Sequence, residues 1–332
     1  MKKLLIINTG GTFSSVESER GLKPGLSSHE LLDAMRLVAG GIELEMEDLL
    51  LVDSANIFPD DWCRLACRIE EALPHYQGVV VIHGTDTMAY TASMLSFMLQ
   101  QIPIPVVFTG SQLSISHPVA DAMENCRCAV HMAASGCAGV FLAFNRKVML
   151  GVRASKVRTM SFDAFESINY PDVAQISSLG LNIHREYLPS IHGDFRLCTK
   201  YSDKVGILMM YPGIRPDLLT MMEARGYRGI YIEAFGLGGL PFLKNDFLGA
   251  VQQCVEHGMT ILVGSQCRYE GSSLSVYETG LKALKSGVLQ AYDMTAEAAY
   301  TKLMWVLGQT EDPQKIQAYF SKDLVREVQI AL

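Results

Sequence analysis

The chain of 332 residues is 49% hydrophobic and 19% charged, a globular composition at a length where two hydrophobic cores are expected rather than one. Its 35 acidic against 28 basic side chains give a net charge of −7, which leaves no cationic surplus for a phosphate backbone and sets nucleic-acid binding aside in favour of a small, zwitterionic partner. No apolar run approaches the roughly 18 residues that span a bilayer, and the stretch 4–7 is shorter than a secretory h-region of about 7 to 15 residues.

Residues 3–8 read as a short buried strand that breaks at Gly10-Gly11, followed over 13–26 by a polar loop containing Gly21, Pro24 and Gly25. Ser27 with Glu30 is a capping-box signal for a helix that carries Leu31, Leu32, Met35 and Val38 on one face. Two short strands are expected at 42–46 and 49–53. Pro59-Asp60-Asp61 then opens a helix, since proline's fixed φ and early carboxylates suit a first turn. Residues 78–82 form a continuous apolar run of the kind buried on both faces of a parallel sheet. The run breaks at His83-Gly84-Thr85-Asp86, after which Met88, Ala92, Leu95 and Leu99 recur at helical spacing. The unit repeats as strand 105–109, turn Gly110-Ser111-Gln112, helix 119–134 and strand 140–144, an alternation that predicts a doubly wound α/β domain.

Over about 183–202 the alternation lapses into a polar stretch with Pro189 and Gly193, expected as an interdomain linker. Beyond it come strand 205–211, helix 216–225, strand 229–234, helix 245–256 and strand 259–263. Gly264-Ser265-Gln266 echoes Gly110-Ser111-Gln112, each after an apolar strand, as two similarly built halves would give. The expected boundaries are therefore an N-terminal domain over 1–185 with a mainly parallel sheet, a linker over 186–204, and a smaller Rossmann-like α/β domain over 205–332.

In open α/β sheets ligands gather outside the carboxyl ends of the strands. The first strand delivers Thr9-Gly10-Gly11-Thr12 there, the next Asp53-Ser54, the third His83-Gly84-Thr85-Asp86-Thr87 and the fourth Gly110-Ser111-Gln112. Arg153-Ala154-Ser155-Lys156 adds a cation. A hydroxyl nucleophile needs a neighbouring base or cation, and a lysine in a dry cleft, held by a carboxylate, can serve as that base. Thr85, Asp86 and Lys156 are candidates for such a unit, with Thr12 as a second hydroxyl. The competing readings are that Thr85 and Asp86 only cap the following helix and that Lys156 is a solvated surface lysine.

The other signals are weaker. His83 is read as a hydrogen-bonded structural residue and Cys126-x-Cys128 as core packing. Gly236-Leu-Gly238-Gly239-Leu-Pro241 nearly matches GxGxxG, but proline replaces the last glycine and no helix is expected there. The sequence contains no GxSxG elbow and no Walker A motif. The eight cysteines form no CxxC pair, which suits reduced thiols in a cytoplasm. No two of the eight histidines stand at metal-ligand spacing, so no metal is expected.

Asn8-Thr9-Gly10-Gly11-Thr12-Phe13, together with Val81-Ile82-His83-Gly84-Thr85-Asp86-Thr87-Met88, closely resembles the two signature segments of the L-asparaginase family. Further segments look like its cytoplasmic type I branch: Asp53-Ser54-Ala55-Asn56 with Asp60-Asp61-Trp62, Phe108-Thr109-Gly110-Ser111-Gln112, Lys156-Val157-Arg158-Thr159, Tyr211-Pro212-Gly213-Ile214, and the stretches 294–299 and 301–305. The resemblance covers essentially the whole chain. It implies hydrolysis of L-asparagine to L-aspartate and ammonia through a covalent acyl-enzyme, with no metal or organic cofactor.

By that resemblance Thr12 matches the nucleophile, and Thr85 with Lys156 matches a second hydroxyl and its lysine, which serve the oxyanion site and the hydrolytic water. Asp86 matches the carboxylate that takes the substrate α-ammonium, and Ser54 the hydroxyl that holds its α-carboxylate. Asp53 and backbone N–H groups near Gly11 are further candidates. A zwitterion held by one fixed anion and nearby donors is well discriminated from analogues lacking either group. A donor aimed at the developing oxyanion is worth roughly 3 to 4 kcal/mol. The loop over 13–26 follows the nucleophile and is expected to act as a lid.

Two departures from the family pattern matter. The periplasmic branch carries an activating tyrosine in the lid, and 13–26 contains none. Type I relatives use a tyrosine of the second domain, whose place is matched by Tyr277 in a segment that otherwise diverges; a bland buried tyrosine is the competing reading. Were Tyr277 too far from Thr12 in its own subunit, another subunit would have to supply it. Some type I members also bind asparagine at a regulatory site. Cys267 matches its cysteine, Ser155 stands where a threonine contributes, and Glu233 replaces the expected arginine. Glu233 would repel an effector carboxylate, so weakened or absent activation is expected.

The resemblance further implies a cytoplasmic homodimer or homotetramer. A glutaminase-asparaginase is one alternative, because a methylene is worth only about 1 to 3 kcal/mol of discrimination. The family's tRNA-dependent amidotransferase subunit, releasing ammonia for a partner, is another; it carries an extra N-terminal domain, whereas this chain starts at the first catalytic strand. From a different class, a two-lobed amino-acid binding protein would carry an export signal and has no need of Lys156 beside Thr85.

Overall fold

The computed structural model describes residues 2–18, 21–24 and 27–330. The chain divides into two compact units, Met1–Thr199 and Lys200–Leu332, each of α/β architecture.

In the first unit eight of the described strands form one sheet. Its order is Gly180–Ile183, Ala174–Ser177, Lys147–Leu150, Gly139–Phe144, Pro105–Thr109, Gly78–Ile82, Lys3–Gly10 and Glu43–Val52. The last five of these run parallel, and the other three join antiparallel. Numbered along the chain, the parallel strands lie in the order 2-1-3-4-5. The direction of winding thus reverses between Lys3–Gly10 and Gly78–Ile82, and a crevice at such a reversal is where ligands collect. Gly78–Ile82 and Pro105–Thr109 are buried at every residue, as their unbroken apolar runs require of central parallel strands.

The local signals act as their chemistry dictates. Ser27 and Glu30 form a reciprocal capping box on the helix Ser28–Arg36, and Pro59 takes the first turn of Pro59–Ala72. The two strands expected at 42–46 and 49–53 are one, Glu43–Val52. That strand lies at the sheet edge, where its carboxylates find partners: Glu45 pairs with Lys3 at 2.8 Å, Glu47 with Arg68 at 2.6 Å, and Asp48 accepts from Asn8 Nδ2 at 2.8 Å. The helix expected from 119 begins at Ala122, because the Asp121 carboxylate accepts the backbone N–H groups of Gln112 and Leu113 instead of capping its own helix.

The loop expected to act as a lid contains an antiparallel hairpin, Ser15–Ser18 against Gly21–Pro24. Residues 19, 20, 25 and 26 of that loop lie outside the described residues. The segment expected as a linker carries the short turn Arg185–Tyr187 and the strand Arg196–Leu197, which pairs with Leu99–Gln100 inside the first unit.

The second unit has a parallel sheet whose described strands follow chain order: Val205–Met209, Gly229–Ala234, Thr260–Ser265 and Leu289–Gln290. One face buries Ile230, Ile232, Ile261 and Val263 against Leu219, Val251 and Ala283 of three connecting helices. On the other face lies the helix Ala296–Gln309, whose Leu303 and Leu307 pack so closely on Gly229 that a Cβ there would have no room. The glycine-rich stretch after Ala234 opens no helix. Gly238 N and Gly239 N both donate to Phe235 O, and Asp246 caps the next helix, Phe247–Glu256.

Candidate active site

The glycines at the strand ends let three loops touch through their backbones. Gly10 and Gly11 adopt φ of +99° and +88°, the region open to glycine. A Cβ on Gly10 would stand 2.5 Å from Val52 O, and one on Gly11 would stand 2.5 Å from Gly84 Cα. A Cβ on Gly84 would stand 2.6 Å from Ser54 Oγ, and one on Gly110 would collide with His83 O. The segment entering Thr12, the turn beginning at Ser54 and Gly84 with its His83-Gly84 peptide are therefore in direct contact at the point where the winding reverses.

Lys156 ends the short strand Ala154–Lys156, which is held against Phe165–Ser167 and by Val157 N donating to Ala164 O. Its Nζ donates to Thr85 Oγ1 at 2.8 Å and to Asp86 Oδ1 at 2.6 Å. The lysine side chain is only 16% exposed while Asp86 is 66% exposed, which removes the reading of a solvated surface lysine. Thr85 is buried and does not cap the helix Met88–Met98; that place is taken by Thr87, whose hydroxyl donates to Ser54 O at 2.8 Å. A hydroxyl, an ammonium and a carboxylate thus stand in hydrogen-bond contact, an arrangement suited to moving a proton at Thr85 Oγ1.

Ser54 is buried at the start of the turn Ser54–Asn56. Asp53 caps that turn through Ala55 N at 2.9 Å, so one of its carboxylate oxygens serves its own backbone. Thr12 opens the turn Thr12–Ser14 and is partly exposed, with Phe13 buried behind it. Ser155 is buried beside Lys156.

The remaining candidates belong to the second unit. Tyr277 is exposed and precedes the helix Glu278–Lys285. Cys267 is exposed and donates its N–H to Ser265 Oγ at 3.0 Å. Glu233 is half-buried, and burial together with the negative charge of Glu297 pushes its carboxyl above the usual range against the pull of Arg268. The echo between the two glycine-serine-glutamine turns extends to their side chains. Gln112 Nε2 donates to Thr159 O and Ser161 O, and Gln266 Nε2 to Met210 O and Glu233 O.

Two features were not read as functional from the sequence. Gln112 directs its amide oxygen at the Thr85 hydroxyl, 3.4 Å away, with its amide nitrogen anchored as above. Its place in a turn after a buried strand is visible in the sequence, but the direction of its side chain is not. His83 is buried beneath the site with Nδ1 2.7 Å from Gly84 O and Nε2 3.0 Å from Thr91 Oγ1, and desolvation pushes its pKa down to about 4. Cys126 and Cys128 are buried with thiol pKa values raised by desolvation. Among the described residues no three His, Cys, Asp or Glu side chains are grouped to hold a metal ion, and no helix is long and apolar enough to cross a membrane.

Residues 3–188 match the family model "Asparaginase, N-terminal", and residues 204–320 match "Glutaminase/Asparaginase C-terminal domain". An L-asparaginase of Thermococcus kodakarensis is 39% identical over 328 residues, covering 98% of this chain and 99% of the relative. A solved structure of the thermostable L-asparaginase from Thermococcus kodakarensis superposes with a TM-score of 0.92 at 38% identity, covering 99% of this chain and 100% of that one. A glutamyl-tRNA(Gln) amidotransferase subunit of Pyrococcus abyssi is 36% identical over 340 residues, covering 99% of this chain and 77% of the relative.

Proposed function

The chain belongs to the asparaginase family of amidohydrolases, and from that premise we propose that it hydrolyses L-asparagine to L-aspartate and ammonia through an acyl-threonine. The observation that carries the reading is the contact of Lys156 Nζ with both Thr85 Oγ1 and Asp86 Oδ1 at the winding reversal of the sheet. An unreactive binding site has no use for a lysine held against a buried hydroxyl.

In this reading Thr12 Oγ attacks the side-chain amide carbon, forming a C–O bond as the carbonyl electrons move to oxygen. Collapse of that tetrahedral species breaks the C–N bond, and the NH2 group leaves as ammonia with the proton that the Thr12 hydroxyl gave up on attack. Water then attacks the ester, releasing aspartate and restoring the Thr12 hydroxyl. Thr85, with its proton exchanged through Lys156, orients the water and stabilises the oxyanion, where a preorganised donor is worth roughly 3 to 4 kcal/mol. Asp86 takes the α-ammonium, and Ser54 with the N–H groups near Gly11 takes the α-carboxylate; the burial of Ser54 supports this by strengthening any hydrogen bond it makes. The eight free cysteines support a reducing compartment such as the cytoplasm, and the family resemblance supports a homodimer or homotetramer.

Rapid acid quenching during turnover, followed by peptide mass analysis, tests the chemistry. An aspartyl ester on Thr12 is expected. An ester on Thr85 would exchange the two roles. A second reading, ammonia release for a partner, is favoured by the likeness to the glutamyl-tRNA(Gln) amidotransferase of Pyrococcus abyssi. It requires ammonia production to depend on that partner.

A further inference from the structure

His83 sits in the segment that delivers Thr85, yet no step above uses it. Its two ring nitrogens meet different chemistry. Nδ1 lies 2.7 Å from Gly84 O, and a carbonyl only accepts, so Nδ1 carries the proton. Nε2 lies 3.0 Å from Thr91 Oγ1, and that hydroxyl lies 3.0 Å from Trp62 Nε1. An indole nitrogen only donates, so Trp62 fills a lone pair of Thr91 and leaves the hydroxyl hydrogen for the bare Nε2. The direction of the chain is thereby set: Trp62 donates to Thr91, Thr91 to His83, and His83 to Gly84 O. The opposite tautomer would oppose two lone pairs at 2.7 Å. Trp62, His83 and Thr91 are all buried, so no water competes for these bonds.

The residue whose carbonyl is held in this way is the one on which two other loops close. Gly11 touches the Gly84 backbone from one side and Ser54 from the other. The peptide that follows leads into Thr85, and because a peptide is planar, pinning the Gly84 C=O also fixes the opposed Thr85 N–H. We propose that His83 is a positioning residue, whose Trp62–Thr91–His83 hydrogen-bond relay anchors the Gly84 carbonyl and so sets Gly11, Ser54 and Thr85 relative to one another. This inference rests on the reading of Thr12 and Thr85 as the reacting hydroxyls.

The test pairs an activity readout with one that needs no activity. Thr91→Val keeps the shape but removes the hydroxyl, and it is expected to lower kcat by about tenfold or more with KM within about threefold, since misplacement of reacting groups is felt mainly in the transition state. Thr91→Ser restores the donor and is expected to recover kcat to within about threefold of the parent. In protein labelled with 15N-histidine, the His83 signal, assigned by its loss in His83→Asn, is expected to show a protonated Nδ1 and a bare Nε2 at neutral pH.

An Nε2–H tautomer or an imidazolium at neutral pH would overturn the relay. So would a Thr91→Val enzyme with unchanged kcat, or a Thr91→Ser enzyme as slow as Thr91→Val, which would reduce the contact to packing. Should Thr91→Val not fold, His83→Asn, which keeps a donor near Gly84 O, is compared with His83→Leu. Equal kcat in those two would likewise defeat the proposal. If the parent protein releases no ammonia at all, the functional reading fails, while the nitrogen spectrum still decides the relay.

Discussion

Lys156 Nζ stands 2.8 Å from Thr85 Oγ1, so a cation that began as one residue in a polar stretch of sequence is the direct partner of a buried hydroxyl. Replacing Lys156 by Met keeps the stem and removes the ammonium proposed to carry the proton. The expected loss is about 10³-fold or more in kcat with little change in thermal midpoint. Lys156→Arg is expected to remain as slow, because a guanidinium does not give up its proton in this range. Thr12→Ala is expected to cost at least as much. Near-normal turnover in Lys156→Met or Thr12→Ala would remove the assigned roles.

Asp86 has a largely exposed carboxylate that Lys156 orients, and in the proposed reaction it takes the substrate α-ammonium. Asp86→Asn preserves the size and removes the charge, and charge-assisted hydrogen bonds are about twice as strong as neutral ones. The expected result is a KM for L-asparagine raised by about tenfold or more. An unchanged KM would place the α-ammonium elsewhere.

Burial of His83 makes stability depend on pH in a defined direction. The folded histidine stays neutral down to about 4, whereas the unfolded chain titrates it near 6.5. Between those values the unfolded state binds more protons, so the contribution is complete above 6.5 and is lost as pH falls toward 4. The expected loss is about 3 kcal/mol at most, from the gap between the two pKa values. Urea midpoints measured across the interval check it. His83→Asn is expected to flatten the profile, and an equally steep profile in that variant would assign the effect to other groups.

A second buried polar device lies in the second unit, where Lys302 and Glu327 pair with no exposure of either side chain. Glu327 also accepts from Leu324 N at 3.0 Å and Val325 N at 2.8 Å, tying the C-terminal segment to the helix Ala296–Gln309. Removing one partner leaves an uncompensated charge. Lys302→Met is expected to destabilise by about 3 to 5 kcal/mol, and the double variant Lys302→Met/Glu327→Leu by distinctly less. Denaturant melts of the two proteins distinguish this from simple packing, for which the losses would add.

Glu233 allows a test of whether L-asparagine acts as an effector. Its carboxylate stands on the strand next to the one leading to Cys267, so an anionic effector there would meet a negative group. The dependence of velocity on L-asparagine is therefore expected to be hyperbolic. Clear sigmoidality abolished by Cys267→Ala would contradict it.

The parts of the fold that were legible are those in which one local rule decides. The apolar run 78–82 announces a central strand and Ser27 with Glu30 announces a helix start, whereas the packing of Gly10, Gly11 and Gly84 against neighbouring loops shows only in the assembled sheet. Glu43–Val52 was misread as two strands because acidic residues break an apolar run, and their ion pairs with Lys3 and Arg68 depend on the edge position that only the assembled sheet confers. The contact of Lys156 with Thr85 spans 71 residues, beyond any periodicity, and it is expected only from the chemistry of a lysine beside a strand-end hydroxyl, to which the family likeness adds. The relay through Trp62, Thr91 and His83 joins residues of two helices and a strand end, each of which reads as ordinary core by itself.

The central claim is tested most directly by ammonia release from the purified protein, alone, over a wide concentration range of L-asparagine with L-glutamine in parallel. Turnover of L-asparagine well above that of L-glutamine, without any partner, is the predicted result. Preference for L-glutamine, or release from neither amide, would contradict it.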